Sequence, residues 1–216
     1  MRTIDLRPSE VVIGIVFFVL LAGGPYLFFF NQFWTHLDLS RAAHVREYRS
    51  ANIRGHRGRQ ILMHQDFFET AQRLDAYARK SGVKLLVVHS YRRPAAVLKD
   101  AKVRPGQRSD HLAGHALDIN IRRGLRLYMF DDLKKDALAG LPSAVQDFIR
   151  QVRENDLLRW GGDFNDEDPV HIDEGLNIRD DQCWQLHYDQ CLADVMAAQP
   201  QWKTRWRRLV RRLTGP

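Results

Sequence analysis

Between Met63 and Arg79 the apolar residues Phe67, Ala71, Leu74 and Ala78 recur at three- and four-residue spacing. That period predicts an amphipathic helix, and Ser81-Gly82 supplies its stop signal. Lys84-Leu85-Leu86-Val87-Val88-His89 is a short β-rich run and predicts a buried strand. Arg93-Pro94 opens a short helix, and residues 102–107, with Pro105-Gly106, read as a loop. Apolar and polar residues alternate from Ala116 to Ile121, which predicts a strand, with Leu125–Phe130 as its hairpin partner. From Ser143 to Asn155 the helical period returns, with Pro142 near the start and Val145, Phe148, Ile149 and Val152 on one face. Val170–Asp173 reads as another short strand, and Asp180 or Asp181 caps a last helix running to about Ala198. Helices mixed with short strands predict an α+β fold, a small antiparallel sheet with packed helices. No internal repeat is present.

The N-terminal pattern differs. Val11 to Phe30 holds no charged residue, and about 20 apolar residues are enough to span a bilayer. Ala22-Gly23-Gly24 resembles a signal-peptide cleavage site, but the apolar run continues through Phe30, and Trp34 follows at interfacial depth. The expectation is therefore one uncleaved N-terminal transmembrane helix ahead of the α+β domain. The chain divides into a leader (1–10), the anchor (11–30), a juxtamembrane connector (31–60), the domain (61–199) and a basic tail (200–216).

Charge adds less. The 216 residues carry a formal net charge of +7, with a pI near 9.7. Such a chain attracts polyanions, but no nucleic-acid reading motif is present, and no nucleic acid is expected as a partner. In the tail, Lys203, Arg205, Arg207, Arg208, Arg211 and Arg212 interleave with Trp206, Leu209 and Val210, a pattern that suits a membrane surface. Cys183 and Cys191 on one helix would stand about 12 Å apart along its axis and remain free thiols.

The chemistry concentrates in two blocks. In Ser109-Asp110-His111-Leu112-Ala113-Gly114-His115-Ala116-Leu117-Asp118, the Gly114 turn lets His111 and Asp118 meet at one metal ion. The second block, Trp160-Gly161-Gly162-Asp163-Phe164 then Asp168-Pro169-Val170-His171, supplies His171 as a third ligand. Three protein ligands are the usual complement of a catalytic zinc, which keeps a fourth position for water. His115, on the opposite face of the strand from Asp118, is expected to flank the site. Asp168 is held away from helix by Pro169 and is the first choice for general base. Asp173 shares the strand face of His171 and is the alternative base or an orienting partner for a ligand. Either Arg92 or Arg93, just past the first strand, offers a cation to a developing oxyanion or a substrate carboxylate. Arg92 is preferred.

The pattern Ser-x-His-x-x-Gly-x-Ala-x-Asp, followed by Trp-Gly-Gly-Asp-Phe and Asp-Pro-x-His, resembles the VanY-type zinc D-alanyl-D-alanine carboxypeptidase superfamily, its L-alanyl-D-glutamate peptidase branch above all. The resemblance covers about Met63 to Asp173. It implies one zinc per chain on His111, Asp118 and His171, with Asp168 as base and Arg92 polarising the scissile carbonyl. Tyr91, in the Tyr-Arg element, and Ser109 would support substrate or metal. This chain has His89-Ser90-Tyr91-Arg92 where the family usually reads Ser-Gly-Tyr-Arg, and His171-Ile172-Asp173 where it reads His-Phe-Glu.

Together these readings imply a membrane-anchored zinc metallopeptidase that cuts an amide bond in the peptide stem of peptidoglycan. The membrane would be met through residues 11–30 and the basic tail. Because peptidoglycan lies outside the cytoplasmic membrane, the expected placement is single-pass in that membrane, with the domain on its outer side. The alternative is a non-catalytic wall-binding module that keeps the fold, which would tolerate replacement of Asp168.

Overall fold

The computed structural model describes residues 8–26, 32–94, 102–103 and 106–214. Its first helix, α1 (Pro8–Pro25), has 18 residues. At 1.5 Å per residue that is about 27 Å, and the polar Pro8-Ser9-Glu10 occupies its first turn. The hydrocarbon core of a bilayer is about 30 Å thick. Among the described residues no helix is long and apolar enough to cross a membrane. The expected transmembrane helix is therefore corrected, and with it the single-pass placement in the cytoplasmic membrane. Part of the apolar run, residues 27–30, lies outside the described residues, as does most of the short helix expected after Arg93.

Residues 31–60, expected as a connector, carry strands of the domain. These are β1 (Leu37–Asp38), β2 (Val45–Tyr48) and β3 (Ile53–Gly55). Then comes β4 (Ile61–His64), antiparallel to β2. The helix expected from Met63 starts later, because residues 61–64 pair with β2 and a 3-10 turn follows at Gln65–Phe67. That helix is α2 (Phe68–Ser81), closed by Gly82 in the left-handed conformation.

Next come β5 (Lys84–His89), α3 (Asp110–Ala113), β6 (Ala116–Arg123), β7 (Arg126–Tyr128) and α4 (Ser143–Arg153). After these lie β8 (Arg159–Trp160), β9 (His171–Asp173), α5 (Leu176–Arg179) and α6 (Asp181–Ala197). The Asp180 side chain caps α6 by accepting from the Cys183 amide. The chain closes with β10 (Gln199–Pro200), paired with β1, and α7 (Gln201–Thr214).

The main sheet runs β3-β5-β6-β9-β8, with β7 also on β6. The β3–β5 pair is parallel and the other pairs are antiparallel. Alternation along β6 divides the sheet into two chemical faces. Leu117, Ile119 and Ile121 enter one core with Leu85 and Val87 of β5, the α2 residues Ala71, Leu74 and Ala78, and the α4 residues Val145, Phe148, Ile149 and Val152. Phe148 is fully buried there, so its replacement by alanine costs about 3–5 kcal/mol. The intervening residues Asp118 and Asn120 face a cleft on the opposite side. Helices α2 and α4 thus cover one face of the sheet, and the opposite, polar face carries the cleft.

Candidate metal centre

Strand register assembles the centre. Asp118 on β6 pairs with His171 on β9, so both side chains rise from the same face. His111 reaches them from α3, whose N-cap is Ser109 accepting from the His111 amide. The short helix ends at Gly114, at φ +76°, where a Cβ would overlap the His64 amide nitrogen. Only glycine fits that close approach, and it turns the chain from His111 back to Asp118.

The three ligand atoms form a tight triangle. His111 Nε2 lies 2.9 Å from Asp118 Oδ1 and 3.2 Å from His171 Nδ1, and His171 Nδ1 lies 3.0 Å from Asp118 Oδ1. The far side of each imidazole is committed. His111 Nδ1 donates to the Ser90 carbonyl at 2.8 Å, and His171 Nε2 donates to Asp173 Oδ2 at 2.8 Å. Both histidines therefore turn a bare nitrogen toward Asp118, which offers a third acceptor. Three acceptors this close repel unless a cation joins them, and two nitrogens with one oxygen suit zinc. The donor set fits that ion. His89 Nδ1 donates to the other Asp118 oxygen at 3.1 Å. Burial pushes the Asp118 carboxyl up, but its histidine neighbours, His111 first, outweigh that and hold it well below the usual aspartate range.

Residues 103–174 match the family model described as D-alanyl-D-alanine carboxypeptidase. This is a family of zinc peptidases, and the VanY-type resemblance of the motifs is borne out over that segment. The carboxypeptidase match spans about one third of the chain and contains His111, Asp118, Asp168 and His171. No curated protein matches the chain.

Within the matched segment, the Trp-Gly-Gly block is the support for Asp168. Trp160 sits in the core, and its Nε1 donates to the Pro169 carbonyl at 2.8 Å. The Gly161 carbonyl accepts from the Asp168 amide at 2.8 Å, and a Cβ on Gly161 would overlap the Asp168 carbonyl. Asp168 lines the cleft beside the ligand triangle. Burial and then the Asp118 charge push its carboxyl up from the ordinary value of 3.8.

The cleft has a volume of about 880 Å³. Arg92 and Ser109 line it with the ligand triangle, whereas Arg93 is exposed elsewhere. Burial lowers the Arg92 guanidinium, against the pull of Asp118, which places Arg92 close to the centre. Tyr91 does not join them. It packs against the cluster of Val45, Cys191 and Val195, and its buried hydroxyl has no partner among the described residues. Tyr91 is thus a packing residue of β2 and α6 in this structure, because its neighbour Arg92 takes the cleft-facing direction.

Sequence reasoning missed Arg159. Its guanidinium holds Asp173 at two points and stacks over Phe164 at 5.1 Å. The signal is the β8–β9 register, which sets Arg159 opposite Asp173 and which spacing alone does not reveal. His115 lies away from the cleft, in a second buried histidine group with His64 and His187. Burial, then the neighbouring His64 and His115, push the His187 imidazole down to about 4.

Proposed function

We propose that this protein is a zinc metallopeptidase that hydrolyses an amide bond in the peptide stem of peptidoglycan, as a carboxypeptidase or endopeptidase. One observation carries the reading: three ligand atoms converge beside Asp168 in a single cleft. His111 Nε2, His171 Nδ1 and Asp118 Oδ1 would hold one zinc. Bound zinc acidifies a water and polarises a carbonyl.

The chain's own residues divide the remaining work. Asp168, with its raised proton affinity, takes the proton of the attacking water and passes it to the departing amine. Arg92 holds the carbonyl oxygen as negative charge develops there. Asp173 fixes the proton of His171 on Nε2, which keeps Nδ1 free for the metal. Ser109 caps α3 and so keeps His111 in place. Lys102 and Arg108 also line the cleft and suit the carboxylates of a stem peptide.

The test is product analysis. The full chain is loaded with zinc and incubated with purified muropeptides, and new amine and carboxyl termini are identified by mass. Cleavage by the wild type and none by Asp168→Asn supports the reading, and the product masses name the bond. Zinc-loaded, folded wild type that leaves every muropeptide intact refutes it.

A further inference from the structure

The basic tail folds as α7, and its two faces are turned the opposite way to those of the core helices. In α2 and α4 the apolar stripe is buried. In α7 the stripe is Trp202, Trp206, Leu209 and Leu213, which are 43%, 62%, 47% and 76% exposed. At about 100° per residue these four positions fall within about 60° of one another, so they form one narrow ridge.

The polar side of α7 holds the helix to the domain. The Gln201 amide donates to the His36 carbonyl at 2.7 Å, and β10, just ahead of it, pairs with β1. Thr204, on the side opposite the ridge, and Arg208 lie beside the Asp38 carboxylate of β1. The domain thus takes the polar back of the helix, and the apolar ridge faces solvent. Charge completes that face. Lys203, Arg205, Arg207, Arg208, Arg211 and Arg212 stand in α7 with no Asp or Glu among them. Lys203 borders the ridge on one edge, and Arg205 and Arg212 border it on the other. Trp202, Trp206 and Leu209 line an open groove of about 410 Å³ together with Arg205.

We propose that α7 is a docking surface for an anionic lipid bilayer, on which it lies flat with its Trp and Leu ridge at the boundary of headgroups and acyl chains. A helix lying in that boundary needs one apolar face and not the length of a crossing helix. Indole rings favour that depth, and the arginines beside them meet lipid phosphates. Two other occupants fit less well. A soluble polyanion would engage the cations and leave the ridge in water. A second copy of the chain would set six cations against six like charges. The surface stands independently of the peptidase reading.

The test is co-sedimentation of the full chain with vesicles. One set is phosphatidylcholine alone, and the other is an equal mixture of phosphatidylcholine and phosphatidylglycerol. The wild type is expected to bind the mixed vesicles more tightly, and added salt should weaken that binding. Trp206→Ser with Leu209→Ser removes exposed side chains only, so the fold should persist, as circular dichroism would check. That variant should bind the mixed vesicles about 10-fold more weakly or worse. Arg207, Arg211 and Arg212, all changed to Gln, should cost about 100-fold. Folded wild type that ignores the mixed vesicles, or binds both sets equally, overturns the proposal. A ridge variant that binds as tightly as wild type also overturns it, because charge alone or another element, α1 included, would then make the contact.

Discussion

Arg159 grips the Asp173 carboxylate with two hydrogen bonds of 2.7 Å each. The same carboxylate accepts from His171 Nε2, so the guanidinium is one step removed from the metal centre. Gly175 makes the arrangement possible, since a Cβ there would crowd the Arg159 guanidinium. Arg159→Gln leaves a buried carboxylate without its cation. Stability should fall by about 3 kcal/mol, the low end for such a pair because Arg159 is 30% exposed. Zinc affinity, measured by competition with a chelator, should fall about 10- to 100-fold as His171 loses its fixed orientation. An unchanged affinity would detach Arg159 from the centre.

Asp168 carries the second prediction. Asp168→Asn should keep metal content and lower kcat by about 10²- to 10⁴-fold. A base acts only when deprotonated, and burial with the Asp118 charge raises its proton affinity. The acid limb of the wild-type pH–rate profile should therefore lie above 3.8, the ordinary aspartate value, with activity lost as pH falls through it. A limb at or below 3.8 would remove Asp168 from the role of base.

Gly161→Ala tests how the bend is held. The new methyl group meets the Asp168 carbonyl and the His171 Cβ, both backbone-anchored, so the bend must move. A cost of about 1–3 kcal/mol is expected from the overpacking. Activity should fall further than stability explains, because Asp168 and His171 shift together. Thermal unfolding and kcat measured on the same preparation separate the two effects.

These sites differ in how much of them the sequence discloses. The strand at Lys84–His89, the helix from Ser143 and the Asp180 cap were legible because their signals are local: apolar period, flanking breakers, a capping side chain. The convergence of His111, Asp118 and His171 was legible because a glycine turn and a short strand leave few geometries. Residues 37–64 were not, since short strands rich in Arg and His show no long alternation and gain their stability from partners distant in sequence. Apolar content also misled at α1, where an unbroken run suggested a membrane span, and among the described residues no helix is long and apolar enough to form one. Arg159, His187 and the turn of Tyr91 away from the cleft depend on tertiary packing that no window of sequence contains.

Asp194 was invisible for the same reason. From α6 its carboxylate accepts from the amides of Ala43, His44 and Val45, at 3.0, 2.6 and 2.8 Å, some 150 residues earlier. Burial pushes the carboxyl up, but those three amides outweigh it and hold it below 3.8. A depressed folded pKa means that the ionised form contributes stability above the unfolded value and loses it as pH falls through the folded one. Asp194→Asn should therefore unfold at a lower temperature than wild type near pH 7. The difference should shrink once pH drops below 3.8, as the wild-type carboxyl protonates. A constant difference across that range would mean that shape, and not charge, anchors residues 43–45 to α6.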